Sequence, residues 1–169
     1  MKRNIPMILL LIAPYALAGI FIFHSNIFFH AWGLSCLLIF LPNMIYAFLL
    51  PRSGCTETRL LFWNMLLKLC NIPVFLLTFF LGLAGMAVLF LAIPILILLA
   101  VFDYSLLLPS TMFGISGLVK AYRSHKISAA ALVIHIIMQF TFCLDVFSSV
   151  WLYVSLRKKE KNAVIVRQQ

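Results

Sequence analysis

Four polar side chains recur at helical spacing in one stretch of the chain. Asn64, Lys68, Asn71 and Thr78 are separated by 4, 3 and 7 residues. At about 100° per residue they share one narrow helix face. Ser128, His135, Gln139, Asp145, Ser149 and Tyr153 fall within an arc of about 120° by the same arithmetic, if residues 128–152 form one helix. An ammonium, a carboxylate, an imidazole and amides can act together in two ways. They can hold an ion, pass a proton or gate a path, with Lys68, Asp145, His135 and Gln139 as the working groups. They can equally form a buried salt bridge whose task is to fix helix register.

Other chemistries lack their residues. No GxSxG, HExxH, phosphate-binding glycine loop or paired intramembrane acid motif occurs. The chain has four acidic residues, which leaves little for acid–base or metal chemistry. No catalytic residue, metal or cofactor is therefore expected. His24 and His30 flank a short connection without further ligands, and His135 stands alone. Cys36, Cys55, Cys70 and Cys143 have no ligand spacing. Cys36, Cys70 and Cys143 are expected to pack as small apolar groups.

The elements that position these groups follow from composition. Of 169 residues, 64% are hydrophobic and 10% charged, against about 45–50% and about 25% in soluble domains. A chain this long cannot hide that apolar surface inside itself, so lipid must solvate it. A soluble enzyme is excluded. The net charge of +9 comes from basic residues at the ends of apolar segments, where they orient the protein and meet headgroups. Nucleic acid is not an expected partner.

The expected fold is all-α: a polytopic transmembrane helix bundle. Residues 1–156 form one domain, with spans at about 5–23, 29–50, 60–81, 86–102, 104–120 and 128–152, and residues 157–169 form a basic cytoplasmic tail. Residues 60–102 are nearly unbroken hydrocarbon, about twice the roughly 20 residues of one span. The turn between two spans is expected at Gly82-Leu83-Ala84-Gly85. A rival count has five spans, with residues 106–119 extending the fourth. Six spans place nine Lys and Arg inside and three outside, and five place seven and five, so the positive-inside rule favours six, with both termini cytoplasmic. At the N-terminus, Met1-Lys2-Arg3, an apolar core and Ala16-Leu17-Ala18 also permit a cleaved signal peptide ending at residue 18.

In this setting an ionised group at mid-membrane costs about 2.5 kcal/mol or more. Lys68 and Asp145 are therefore expected to turn inward and pair. Lys68 lies nine residues from Arg59 and Asp145 twelve from Arg157, depths of about 13 and about 18 Å. Asp103 is a second candidate partner for Lys68. Gly114, Gly117 and Ala121 form a small-residue face suited to close helix packing or to contact with a second copy. Trp32, Trp63, Trp151, Tyr122 and Tyr153 fit an interfacial belt. Lys158 and Lys159 are placed to meet anionic headgroups.

The second half, over about residues 103–156, carries Pro109-Ser110, Gly114-Ile115-Ser116-Gly117, Lys126-Ile127-Ser128, Gln139-Phe140 and Leu144-Asp145-Val146. In these it resembles small uncharacterised multi-span membrane proteins of Gram-positive bacteria. The resemblance implies a bacterial cytoplasmic membrane. Two functions follow from the residues: a non-enzymatic membrane component packing against itself or a partner protein, or a small transporter or channel subunit using the cluster around Lys68 and Asp145.

Overall fold

The computed structural model describes residues 4–87, 92–141 and 144–167, and the backbone alone at residues 25, 52, 53, 92 and 159–167. Its α-helices are α1 (Ile5–Phe23), α2 (Ser25–Ser35), α3 (Leu41–Leu49), α4 (Glu57–Met86), α5 (Ala92–Arg123), α6 (Ala129–Gln139) and α7 (Leu144–Arg167). Cys143 and Lys159, singled out above, lie outside the described residues and the described side chains respectively. Four helical runs among the described residues are long and apolar enough to cross a membrane: α1, the run Asn26–Leu49, α4 and α5.

The run Asn26–Leu49 contains a π-helical stretch, Cys36–Phe40. It precedes Pro42, whose ring cannot donate into the ladder. Asn43 Nδ2 donates to the Ile39 carbonyl at 2.9 Å, one turn back within that stretch. The outer connection expected over residues 24–30 narrows to a break at His24 between α1 and α2.

Three boundaries differ from expectation. The turn at Gly82–Gly85 is absent, because α4 runs on to Met86. The two glycines serve close packing instead. A Cβ on Gly82 would lie 3.4 Å from Leu96 Cδ2, and one on Gly85 would lie 3.0 Å from Ile95 Cγ2. The spans expected at 86–102 and 104–120 are joined in the single helix α5. Asp103-Tyr104-Ser105 does not break it, since Ser105 Oγ donates to the Phe102 carbonyl at 2.6 Å and Asp103 finds a hydroxyl on α4. The span expected at 128–152 is split into α6 and α7. α6 stops where Phe140 N–H and Thr141 N–H bond back to Ile137 and Met138, three residues earlier, in a stretch of aromatic and β-branched residues that favour helix weakly.

The chain divides into two units, residues 1–45 with 67–109 and residues 46–66 with 110–169. In the first unit, Tyr15 Oη donates to the Cys70 carbonyl, tying α1 to α4. Trp32 Nε1 donates to Ser105 Oγ at 3.0 Å, beside an aromatic group of Phe28 and Phe102. Trp32 is thus used inside the unit. Trp63 is buried in the second unit, which leaves Trp151 as the exposed tryptophan.

In the second unit α6 and α7 pack together as an antiparallel hairpin. His135 Nδ1 and Ser148 Oγ meet at 2.9 Å across it. The start of α6 and the later turns of α7 rest on one apolar cluster, Leu61, Leu118, Ala121, Leu152 and Leu156, with Leu132, Ile136 and Tyr153 against it. Gly54, in the left-handed region at φ 80°, turns the chain into α4. The loop leading into α6 is fastened to this same end. Lys126 pairs with Glu57, and Lys120 Nζ donates to the Cys55 carbonyl. Six spans would put residues 51–59 and 120–126 on opposite faces of a core about 30 Å thick. These two bonds put them side by side, and six spans are not confirmed.

Candidate functional site at the tip of the hairpin

Gln139 ends α6 and is wholly buried. Thr111 Oγ1 on α5 lies 3.5 Å from its backbone carbonyl, one of the carbonyls left over at a helix end. Its side-chain amide lies over Gly114. A Cβ at Gly114 would stand 2.2 Å from Gln139 Oε1, 2.4 Å from Nε2 and 2.7 Å from Asn64 Nδ2. Glycine is the one residue that leaves room there. Asn64, also at 0% exposure, brings its amide from α4. Neither its Nδ2 nor its Oδ1 has a hydrogen-bond partner among the described residues.

α7 begins beside this point. Asp145 occupies its first turn, 1% exposed, where the positive end of the helix dipole favours a carboxylate. Its N–H donates to the Thr141 carbonyl at 2.9 Å. Ser148 is taken by His135, and Ser149 Oγ donates to the Val146 carbonyl at 2.8 Å. The second polar set is thus divided between α6 and α7 and does not form one helix face. Thr111 and Ser148 were missed from the sequence. Reading α5 as one helix would have revealed Thr111, three residues before Gly114 and on its face.

The small-residue face is consumed by the same packing. A Cβ on Gly117 would meet Leu61 Cγ at 3.0 Å, and Ala121 is buried in the apolar cluster. It faces α4 and α6 within its unit.

The rest of the α4 stripe lies in the first unit. Lys68 and Asn71 are 1% and 3% exposed, so neither is turned to acyl chains. Thr78 Oγ1 is 2.9 Å from both carboxylate oxygens of Asp103. Asp103 was expected as a second partner for Lys68, but its carboxylate takes a hydroxyl. Thr78 is ten residues beyond Lys68 on α4, about 15 Å at the helical rise. Lys68 and Asp145 fall in different units, and both are buried.

Among the described residues no three His, Cys, Asp or Glu gather as a metal site. His24 and His30 are exposed.

Residues 3–160 match the model of a family of unknown function, DUF6652, and the chain belongs to that family. No curated protein matches it. No solved structure matches it either. The family match spans far more of the chain than the resemblance over residues 103–156.

Proposed function

We propose that this member of DUF6652 is a non-enzymatic component of a bacterial cytoplasmic membrane, crossing it four times and dipping into it once. The crossings are α1, the run 26–49, α4 and α5. The dip is the α6–α7 hairpin. α6, at 11 residues, rises about 16 Å, roughly half the hydrocarbon core. Non-spanning backbone at that depth is tolerated where protein covers it, and Asn64, Thr111 and Gly114 cover the tip.

The observation that carries this reading is the fastening of residues 120–126 to residues 55–57. With that order, every Lys and Arg except Lys68 falls on one side: Lys2 and Arg3, Arg52 and Arg59, Lys120, Arg123 and Lys126, and the five of the tail, twelve of 13. Neither connection on the other face carries a cation. That is a stronger charge bias than six or five spans give, and it supports cytoplasmic termini. The polar tip is spent on holding the hairpin down, and the protein's work is packing against itself or a membrane partner.

Transport is the second reading, favoured by the Asn64 amide. A buried amide with both polar atoms unpartnered is costly, and a polar solute or cation passing the tip would meet it. Cysteine at position 139 or 149, in a chain with its native cysteines replaced, separates the two. Protection from a membrane-impermeant thiol reagent supports packing. Labelling that a monovalent cation blocks, with cation flux in proteoliposomes, supports transport.

A further inference from the structure

The second unit has an open cleft of about 470 Å³ where the last turns of α5 meet the turn after α3. Phe48, Pro51 and Val119 give it an apolar wall, and Lys120, Arg123 and Ser124 give it a polar one. We propose that this cleft binds the headgroup of an anionic phospholipid, with Arg123 as the phosphate-binding cation and the apolar wall against the glycerol and the roots of the acyl chains.

Three observations converge on that ligand. First, the cations are unequal. Lys120 is engaged with the Cys55 carbonyl, whereas the exposed Arg123 guanidinium has no hydrogen-bond or ion-pair partner among the described residues. Second, among the described side chains the carboxylate at this end of α4 is Glu57, and Lys126 occupies it, which leaves the Arg123 guanidinium able to take an external anion. A planar guanidinium fits a phosphate through two parallel N–H bonds. Third, the cleft opens where exposed apolar side chains give way to charge. Phe48, Leu49 and Tyr122 are 47%, 49% and 42% exposed, as lipid-facing side chains are, and the cations follow directly. A soluble phosphate has no use for the Phe48 and Val119 wall, whereas a phospholipid has. The negative C-terminal end of α5 opposes an anion, and the paired cations at that end offset it. This site rests on the cleft and its charges, and it stands whether packing or transport is the protein's work.

The test uses the full chain, purified in detergent and then placed in nanodiscs of phosphatidylcholine with or without phosphatidylglycerol. Bound lipid is counted by native mass spectrometry. Phosphatidylglycerol should be retained over phosphatidylcholine. Arg123→Gln should cut that preference about fivefold, the worth of about 1 kcal/mol per cation near the surface. Arg157→Gln, a cation outside the cleft, should leave it intact. Because Arg123 is exposed, its replacement leaves the fold unharmed, and the thermal midpoint in phosphatidylcholine alone checks this. Equal loss in Arg123→Gln and Arg157→Gln overturns the cleft in favour of diffuse charge. Competition by inorganic phosphate at equal concentration overturns the lipid in favour of a free anion.

Discussion

Replacing Gly114 with alanine tests the tip of the hairpin most directly. The added Cβ would stand 2.2 Å from Gln139 Oε1 and 2.7 Å from Asn64 Nδ2, where ordinary contact begins at 3.4 Å. Side-chain ends can often swing aside, but both amides here are at 0% exposure, so moving them disturbs buried neighbours. Overpacking of this kind costs about 1–3 kcal/mol. Tearing buried amides from their setting adds about 1–3 kcal/mol. Against this, alanine in a helix gains about 1 kcal/mol over glycine. The net expectation is a loss of about 2–3 kcal/mol at mid-range. Gly33→Ala is the control, because nothing lies within 4 Å of a Cβ there, and it should gain up to about 1 kcal/mol. Reversible unfolding in mixed micelles, titrated with dodecyl sulfate, reads both. Gln139→Ala in the Gly114→Ala background removes the closer clash and leaves the one with Asn64, so the pair should cost less than the sum of its members. If Gly114→Ala is as harmless as Gly33→Ala, or the two changes add without coupling, the hairpin tip does not rest on Gly114.

Other outcomes follow from the same geometry. Single cysteines at Thr56, Ser124 and Arg157 should label from one face of a sealed membrane and one at Asn26 from the other; labelling of Arg157→Cys from the face opposite Ser124→Cys would mean that α7 crosses. Glu57 pairs with Lys126, so Glu57→Gln should cost about 1–2 kcal/mol near neutral pH; an unchanged thermal midpoint removes the pair from the account. The sequence expectation that Lys68 and Asp145 pair is answered by a cycle of Lys68→Met and Asp145→Asn, where additive losses deny it. His135→Ala should loosen α6 from α7, read as faster hydrogen exchange in both helices, and exchange confined to α6 would break the hairpin argument.

What could be read from the sequence was set by composition and helical spacing. The apolar excess announces a membrane-spanning all-α chain, and the four long runs are visible as hydropathy. The inward turn of Asn64, Lys68, Asn71 and Thr78 is also legible, because four polar groups on one face of an otherwise apolar helix cannot all face lipid. What failed was punctuation. Gly82 and Gly85 read as a turn, yet glycine in an apolar helix equally marks close approach of a neighbour, and only Ile95 and Leu96 on the next helix distinguish the two. Asp103 and Ser105 read as a break, yet a hydroxyl or carboxylate with a partner nearby leaves the backbone ladder untouched.

The hairpin was the hardest feature to see, and the reason is physical. Residues 128–152 have the length and apolarity of a span, and hydropathy averages over a break of a few residues without registering it. The charges held the missing information. A crossing at 128–152 separates Lys120, Arg123 and Lys126 from the tail cations, whichever way the chain is oriented. A dip does not, because it returns the chain to the side it left. Once α5 is one helix, charge asymmetry favours the proposed dip, since a crossing splits the cations seven to five and a dip leaves twelve together. The same reasoning explains why the tip is polar. A span can satisfy its own backbone throughout, but a turn in mid-membrane exposes carbonyls and N–H groups that hydrocarbon cannot solvate. On the proposed topology, Thr111 at the Gln139 carbonyl, with Asn64 and the gap at Gly114, is the local solvent that would let α6 end there.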